Sequence, residues 1–253
     1  MNSIFIRSVI WLGTVFEIIL HKDDFFIMED GDRYARLGER SDIALMKDVS
    51  CGNKDAFNEL IDRYMDIVSR NSFRILCDRG DSEYVIRRVF VSLWSGVLDY
   101  DDRFSLEEWL LRKVCLYSRI RIARNGVLRL FGVHNDVFVN ASPKVEDVDD
   151  YLTKQAWELY CRASAHMTPM QSAVYSLCAL EGMQKDRVAF LTGMSVMRVS
   201  TALRRAEEKV LDELDHWGRK DDLERFKGFL RKVSDSLTDR EKLRKEILDD
   251  MEG

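Results

Sequence analysis

The chain has 253 residues, of which 46% are hydrophobic and 33% charged, and its formal net charge is −5. That length allows one large domain or two small ones. The negative balance excludes a positive field over the whole protein, so any nucleic-acid surface must be a local patch.

Two prolines and 13 glycines are few for this length, and helix-forming residues at spacings of three and four predict an all-α protein. The first segment, "IFIRSVIWLGTVFEIIL" (Ile4 to Leu20), is broken by Arg7 and Glu17, and its uncharged centre is too short to cross a bilayer. Three readings of residues 1–40 stay open: an extension ahead of a true start at Met28, a helix packed on the body, or a membrane-associated anchor. Asp42 then opens a short helix carrying Ile43, Leu45, Met46 and Val49, closed by "CGN" at Cys51 to Asn53. A long stripe of Phe57, Leu60, Ile61, Tyr64, Ile67 and Val68 predicts a helix from near Lys54 to about Cys77. "DRGD" breaks it, Asp81 is the expected cap of the next helix, and Val85, Ile86, Val89, Phe90, Leu93, Trp94 and Val97 form its apolar face. After the polar "DYDDRFS" a further helix is expected from Leu106 to Ala123, with Trp109, Leu110, Val114, Tyr117 and Ile120 or Ile122 inward, closing a first domain over residues 41–124.

From Trp109 to Asn135 there is no Asp or Glu, while Arg112, Lys113, Arg119, Arg121, Arg124 and Arg129 make one local basic patch. Periodicity fails over 125–150, where glycines, Pro143 and the acidic "VEDVDD" predict an extended linker. A second helical domain follows over 151–215. In it Thr168 and Pro169 are expected to start a helix that Gly182 stops. Gly193 then stands at a sharp turn, with Ala189 allowing a close crossing, Met194 at the corner and Ser195 as cap. The helix beyond turns Val199, Leu203, Ala206, Val210 and Leu214 inward. Its outside carries Met197, Arg198, Ser200, Thr201, Arg204 and Arg205, a set suited to a major groove: Arg for guanine or phosphate, Ser and Thr for either, Met for a thymine methyl. A plain helical corner with solvated arginines is the competing reading. Residues 216–253 read as a charged helical tail, exposed or loosely docked.

Cys51, Cys77, Cys115, Cys161 and Cys178 are odd in number and far apart, as thiols of a reducing compartment would be. The four histidines lie near no cysteine at ligand spacing, so no metal or other cofactor is expected. No phosphate-binding loop or nucleophile–base grouping speaks for an enzyme or a small-molecule substrate.

"MTPMQSAVYSLCALEGMQKDRVAFLTGMSVMRVSTALRRAEEKVLDEL" (Met167 to Leu214) resembles region 4 of bacterial RNA polymerase sigma factors of the sigma-70 family. "ALMKDVSCGNKDAFNELIDRY" (Ala44 to Tyr64), "DSEYVIRRVFVSLW" (Asp81 to Trp94) and "EEWLLRKV" (Glu107 to Val114) resemble region 2 of the extracytoplasmic-function (ECF) group, whose members consist of these two helical domains and a linker. The resemblance implies a cytoplasmic transcription initiation factor. Its partners would be core RNA polymerase and promoter DNA, with an anti-sigma factor as a further partner and any membrane contact indirect. Region 2 would open the −10 element with Tyr100, Arg103, Phe104, Trp109, Arg112, Lys113 and Arg119. It would dock on polymerase with Asp81, Glu83, Tyr84, Arg87 and Arg88. Region 4 would read the −35 element with Met197, Arg198, Ser200, Thr201, Arg204 and Arg205. In the plainer reading Phe104 and Trp109 are ordinary core.

Five departures stand out. Arg87 and Arg88 are cationic where the family usually shows Gln and Glu, on the surface polymerase should touch; Leu116 replaces an Asn; Ser200 and Ala202 replace basic residues. Like charge across an interface can cost several kcal/mol. A diverged adaptor that binds DNA without directing initiation is therefore the alternative.

Overall fold

The computed structural model describes residues 40–96, 100, 103–130, 148–216, 223–232 and 239–252. The N-terminal run and the linker residues Glu146 and Asp147 lie outside them. Among the described residues there are helices and no strands.

Each helix of the first block has a physical start and stop. Ser41 caps α1 (Asp42–Ser50), its hydroxyl accepting from the Ala44 amide at 3.3 Å. The chain then reverses through Gly52, whose φ of +81° suits a residue without Cβ. Asn53 caps α2 (Lys54–Leu76) by accepting from the Asp55 and Ala56 amides, and α2 buries Phe57, Leu60, Ile61, Met65, Val68 and Phe73. Cys77, the one non-glycine with positive φ among the described residues, ends it. The cap of α3 (Arg79–Ser95) is Asp78, not Asp81 as the sequence suggests: Asp78 is extended and accepts from the Asp81 amide at 2.7 Å. Asp81 sits inside the first turn, with its carboxylate turned to Arg121 at 2.6 Å.

α4 (Leu106–Leu130) starts on a reciprocal box in which Ser105 and Glu108 each accept from the other's amide. It outruns the expected end at Ala123 because no proline intervenes and Gly126 weakens a helix without stopping it. α2, α3 and α4 pack on one another, and Trp94 sets its ring edge against Phe57 at 5.2 Å.

The second block holds α5 (Val148–Ala165), α6 (Pro169–Val174), α7 (Lys185–Thr192) and α8 (Val196–His216). α6 runs on as a wider π-helical turn (Tyr175–Leu180). Thr168 and Gln171 form a full capping box around Pro169, as the sequence predicts. On α8, Val199, Ala206, Val210 and Leu214 face inward as expected, but Ala202 is buried and Leu203 only half-buried. The small Ala lets α8 approach its neighbours at that turn.

The tail is docked more firmly than its charge suggests. α9 (Leu223–Lys232) buries Phe226 and Leu230 beside α5 and α6. α10 (Arg240–Glu252) buries Leu243 and Ile247 and lies along α3. In both helices the apolar pair is four residues apart, enough for one anchored face.

The two blocks touch directly. α2 and α4 meet α6, and α4 meets α7, so that residues 41–253 make one compact unit.

Candidate nucleic-acid interface

The turn between α7 and α8 is tight and capped. Gly193 takes φ +69°, the Met194 amide donates to the Ala189 carbonyl at 3.0 Å, and the Ser195 hydroxyl accepts from the Arg198 amide at 3.3 Å. Val188, Ala189 and Leu191 hold α7 to the body. The outward set on α8 is presented as expected: Met197 is 76% exposed, Arg198, Arg204 and Arg205 are exposed, and Ser200 and Thr201 are half-buried. Thr201 donates its hydroxyl to the Met197 carbonyl at 2.9 Å, and Arg204 pairs with Glu208 one turn on. Such an exposed pair contributes about 0.3–0.5 kcal/mol, too little to hold Arg204 back from a phosphate. A groove of about 480 Å³ beside the turn is walled by Met197, Arg198 and Arg205 and, from α4, by Arg119.

The aromatic group expected at the −10 element is arranged differently. Phe104 and Trp109 are 3% and 4% exposed. The Tyr100 hydroxyl donates to the Phe104 carbonyl at 2.6 Å, and its ring meets Trp109 edge-on at 6.3 Å. Arg112 lies over Phe104 at 5.1 Å and Lys113 over Trp109 at 4.6 Å. Phe104 stacks on Phe190 of α7, with centroids 4.5 Å apart and planes 20° apart. Arg187 closes this contact. It pairs with Glu108, sits over Phe190 at 5.0 Å and donates to the Arg103 carbonyl at 3.4 Å. The hydrogen bonds from Arg187 hold the Glu108 carboxyl below the ordinary glutamate value. Phe104 and Trp109 thus follow the plainer reading in this arrangement, and the ring face that would receive a base is covered by Phe190.

Of the residues expected to meet polymerase, Asp81 is tied to Arg121 and Asn125 on α4. Glu83 faces Lys242 at 3.5 Å. Arg87 lies 3.6 Å from Glu246 and 3.8 Å from Asp250. Tyr84, with Arg121 over its ring at 4.6 Å, and Arg88 remain exposed.

A further cluster, which no motif announces, joins the blocks. Arg74 of α2 is 2% exposed and donates to Glu181 beyond α6, while Arg70 donates to both oxygens of the same carboxylate at 2.7 and 3.0 Å. Asn71 adds a 3.2 Å bond to Glu181 and accepts from Ser176 at 2.7 Å. Arg74 also donates to the Leu230 carbonyl at 3.1 Å, and its own carbonyl accepts from Tyr160 at 2.8 Å. Burial by itself would raise Glu181, but Arg70 and Arg74 outweigh it and hold the carboxyl below the ordinary value. Burial pulls the Arg74 guanidinium down, partly offset by Glu181. The available signal is Arg70 and Arg74, four residues apart near the end of α2, and the Leu180–Glu181–Gly182 triplet.

The described residues are thus helical throughout their regular structure, with a tight, capped turn between α7 and α8. No family model matches the sequence, and no curated protein matches it. Among solved structures, the chain resembles CnrH in complex with the cytosolic domain of CnrY. The TM-score is 0.50 at 20% identity, over 69% of this chain and 97% of the other. The sigma factor RpoE from Bartonella quintana, in complex with the anti-sigma factor NepR, is similar at TM-score 0.49 and 15% identity, over 63% and 96%. The fold of this chain is that of CnrH. Among the described residues no helix is long and apolar enough to cross a membrane, and no group of three or more His, Cys, Asp or Glu is placed to hold a metal.

Proposed function

We propose that the chain is a transcription initiation factor of sigma type, acting in the cytoplasm, that binds core RNA polymerase and directs it to promoters. The block α1–α4 opens the −10 element, and α7–α8 reads the −35 element. The observation that carries this reading is the outward face of α8, where Met197, Arg198, Arg204 and Arg205 are exposed, with Ser200 and Thr201 half-buried between them, on a capped, tightly turned helix. In that position a helix enters a major groove, and each well-made base contact discriminates by about 1–3 kcal/mol. The Phe104 ring becomes a base platform once Phe190 leaves it. A stacked base is worth about 1–3 kcal/mol, on the order of the aromatic stack and partly exposed ion pair it would replace. Promoter DNA is therefore able to open the contact. CnrH and RpoE are each held by a second protein, and an anti-sigma partner fits the same reading.

A second reading, a diverged adaptor that binds DNA without directing initiation, is favoured by Arg87 being occupied and Phe104 covered. Pull-down with core RNA polymerase followed by run-off transcription on enriched promoters separates the two. Binding and initiation support the sigma reading; DNA binding with no polymerase retained at physiological salt supports the adaptor. In the first case Arg204→Ala lowers affinity by about 1–3 kcal/mol at one promoter position, whereas a uniform loss means Arg204 touches only phosphate.

A further inference from the structure

Arg87 looks misplaced for a polymerase-docking surface, and the structure supplies its counter-charge from within the chain. We propose that α10 is a built-in strap, anchored on α2 and α3, over the docking face of α3, competing with core polymerase for it. This rests on the sigma reading above.

The strap is matched to its seat by charge order. The basic first half of α10 meets acidic residues: Arg240 pairs with Asp66 of α2, Arg244 with Asp62 of α2 at 2.9 Å, and Lys242 with Glu83 of α3 at 3.5 Å. The acidic second half meets Arg87 through Glu246 and Asp250. This sequence of signs fixes both the direction and the register of α10, since a reversed helix would set like charges against each other. Between the two halves, Leu243 and Ile247 are 1% and 0% exposed, so α10 is seated on apolar surface and not merely tethered by charge. Two of the five expected docking residues, Glu83 and Arg87, are engaged by it.

Tyr84 and Arg88 are left exposed beside the strap, where polymerase can make a first contact before α10 lifts. The charges that hold α10 are partly solvated, the Arg87 side chain being 34% exposed and Asp250 47%, so the grip is reversible and weakens with salt. A site open only part of the time binds its partner more weakly by that fraction, and an α10 closed nine-tenths of the time lowers apparent affinity about tenfold.

The test compares three forms of the full protein for binding to purified core RNA polymerase at physiological salt: the intact chain, a chain ending at Thr238, and the intact chain with Glu246→Arg and Asp250→Arg. The last opposes Arg87 with like charge but keeps Leu243 and Ile247. The helical circular dichroism signal checks that each form is folded. The expected result is about tenfold tighter binding by both altered forms, with backbone amides of α10 exchanging at least tenfold faster in the double variant. Equal affinity in all three forms, or weaker binding once α10 is removed, overturns the strap alone. Unchanged exchange in the double variant together with unchanged affinity does the same. No binding by any form overturns the sigma reading, and the strap falls with it.

Discussion

Two seams fold this chain back on itself, and both are stitched by Arg–carboxylate pairs between residues far apart in sequence. In the clasp that joins the blocks, Arg74 is 2% exposed and Glu181 14%; in the seam under α10, Arg87 is 34% exposed and Glu246 32%. The clasp also carries Asn71, Ser176, Tyr160 and the Leu230 carbonyl as further partners, whereas α10 relies on one apolar pair and a row of half-solvated charges. A count of ion pairs favours α10. Burial reverses the ranking, because a charge sealed from water cannot be left unpaired and a solvated one can.

The comparison breaks hardest at Arg74. Arg74→Met removes the most buried partner of Glu181 but leaves the bonds from Arg70 and Asn71, and should cost about 3 kcal/mol in urea unfolding; a loss under about 1 kcal/mol would mean Arg70 and Asn71 hold the carboxylate without it. At α10, Ile247→Ala removes a fully buried side chain at the surface of the body. About 2 kcal/mol is expected, read as faster amide exchange in α10 with α2 unchanged. Acid separates the seams as well. Since Glu181 is held below its ordinary value, its contribution is complete above the unfolded value near 4.5 and is lost as pH falls through the lower folded value. Urea midpoints measured downward from pH 5 should therefore fall, and Glu181→Gln should flatten that part of the profile. Ser195→Ala lies in neither seam and removes only the α8 cap, worth about 1 kcal/mol in thermal unfolding. The smallest effect belongs to Arg87→Ala, about 0–1 kcal/mol and vanishing at 1 M salt, where screening acts within about 3 Å.

What the sequence shows and what it hides divide along the same line. Local devices are legible: the 3.6-residue stripe of α2, the Thr168–Pro169 start, Gly193 with Ser195, and the outward set on α8 all depend on neighbours a few residues away. The ends of α3 and α4 were less so, because two aspartates competed for one cap and a single glycine was too weak a stop. The seams are illegible for another reason. Arg74 and Arg70 recur at helical spacing like any solvated pair, and nothing near them says that one faces Glu181 and the Leu230 carbonyl. Phe104 reads equally as a base platform or as core, since the deciding partner, Phe190, lies on another helix. Arg87 looked like a fault in a docking surface until Glu246 and Asp250 supplied its counter-charge.

The wide turn at Tyr175–Leu180 has its own consequence for how the blocks are aimed at each other. The Glu181 amide donates to the Ser176 carbonyl at 2.9 Å, a step longer than an α-helical bond. That surplus residue advances everything after it by about 100° around the helix axis compared with a regular coil. The azimuth of Glu181, and with it the angle at which one half of the molecule faces the other, is therefore set by winding. Removing one residue from that turn would re-aim the carboxylate that Arg70 and Arg74 share.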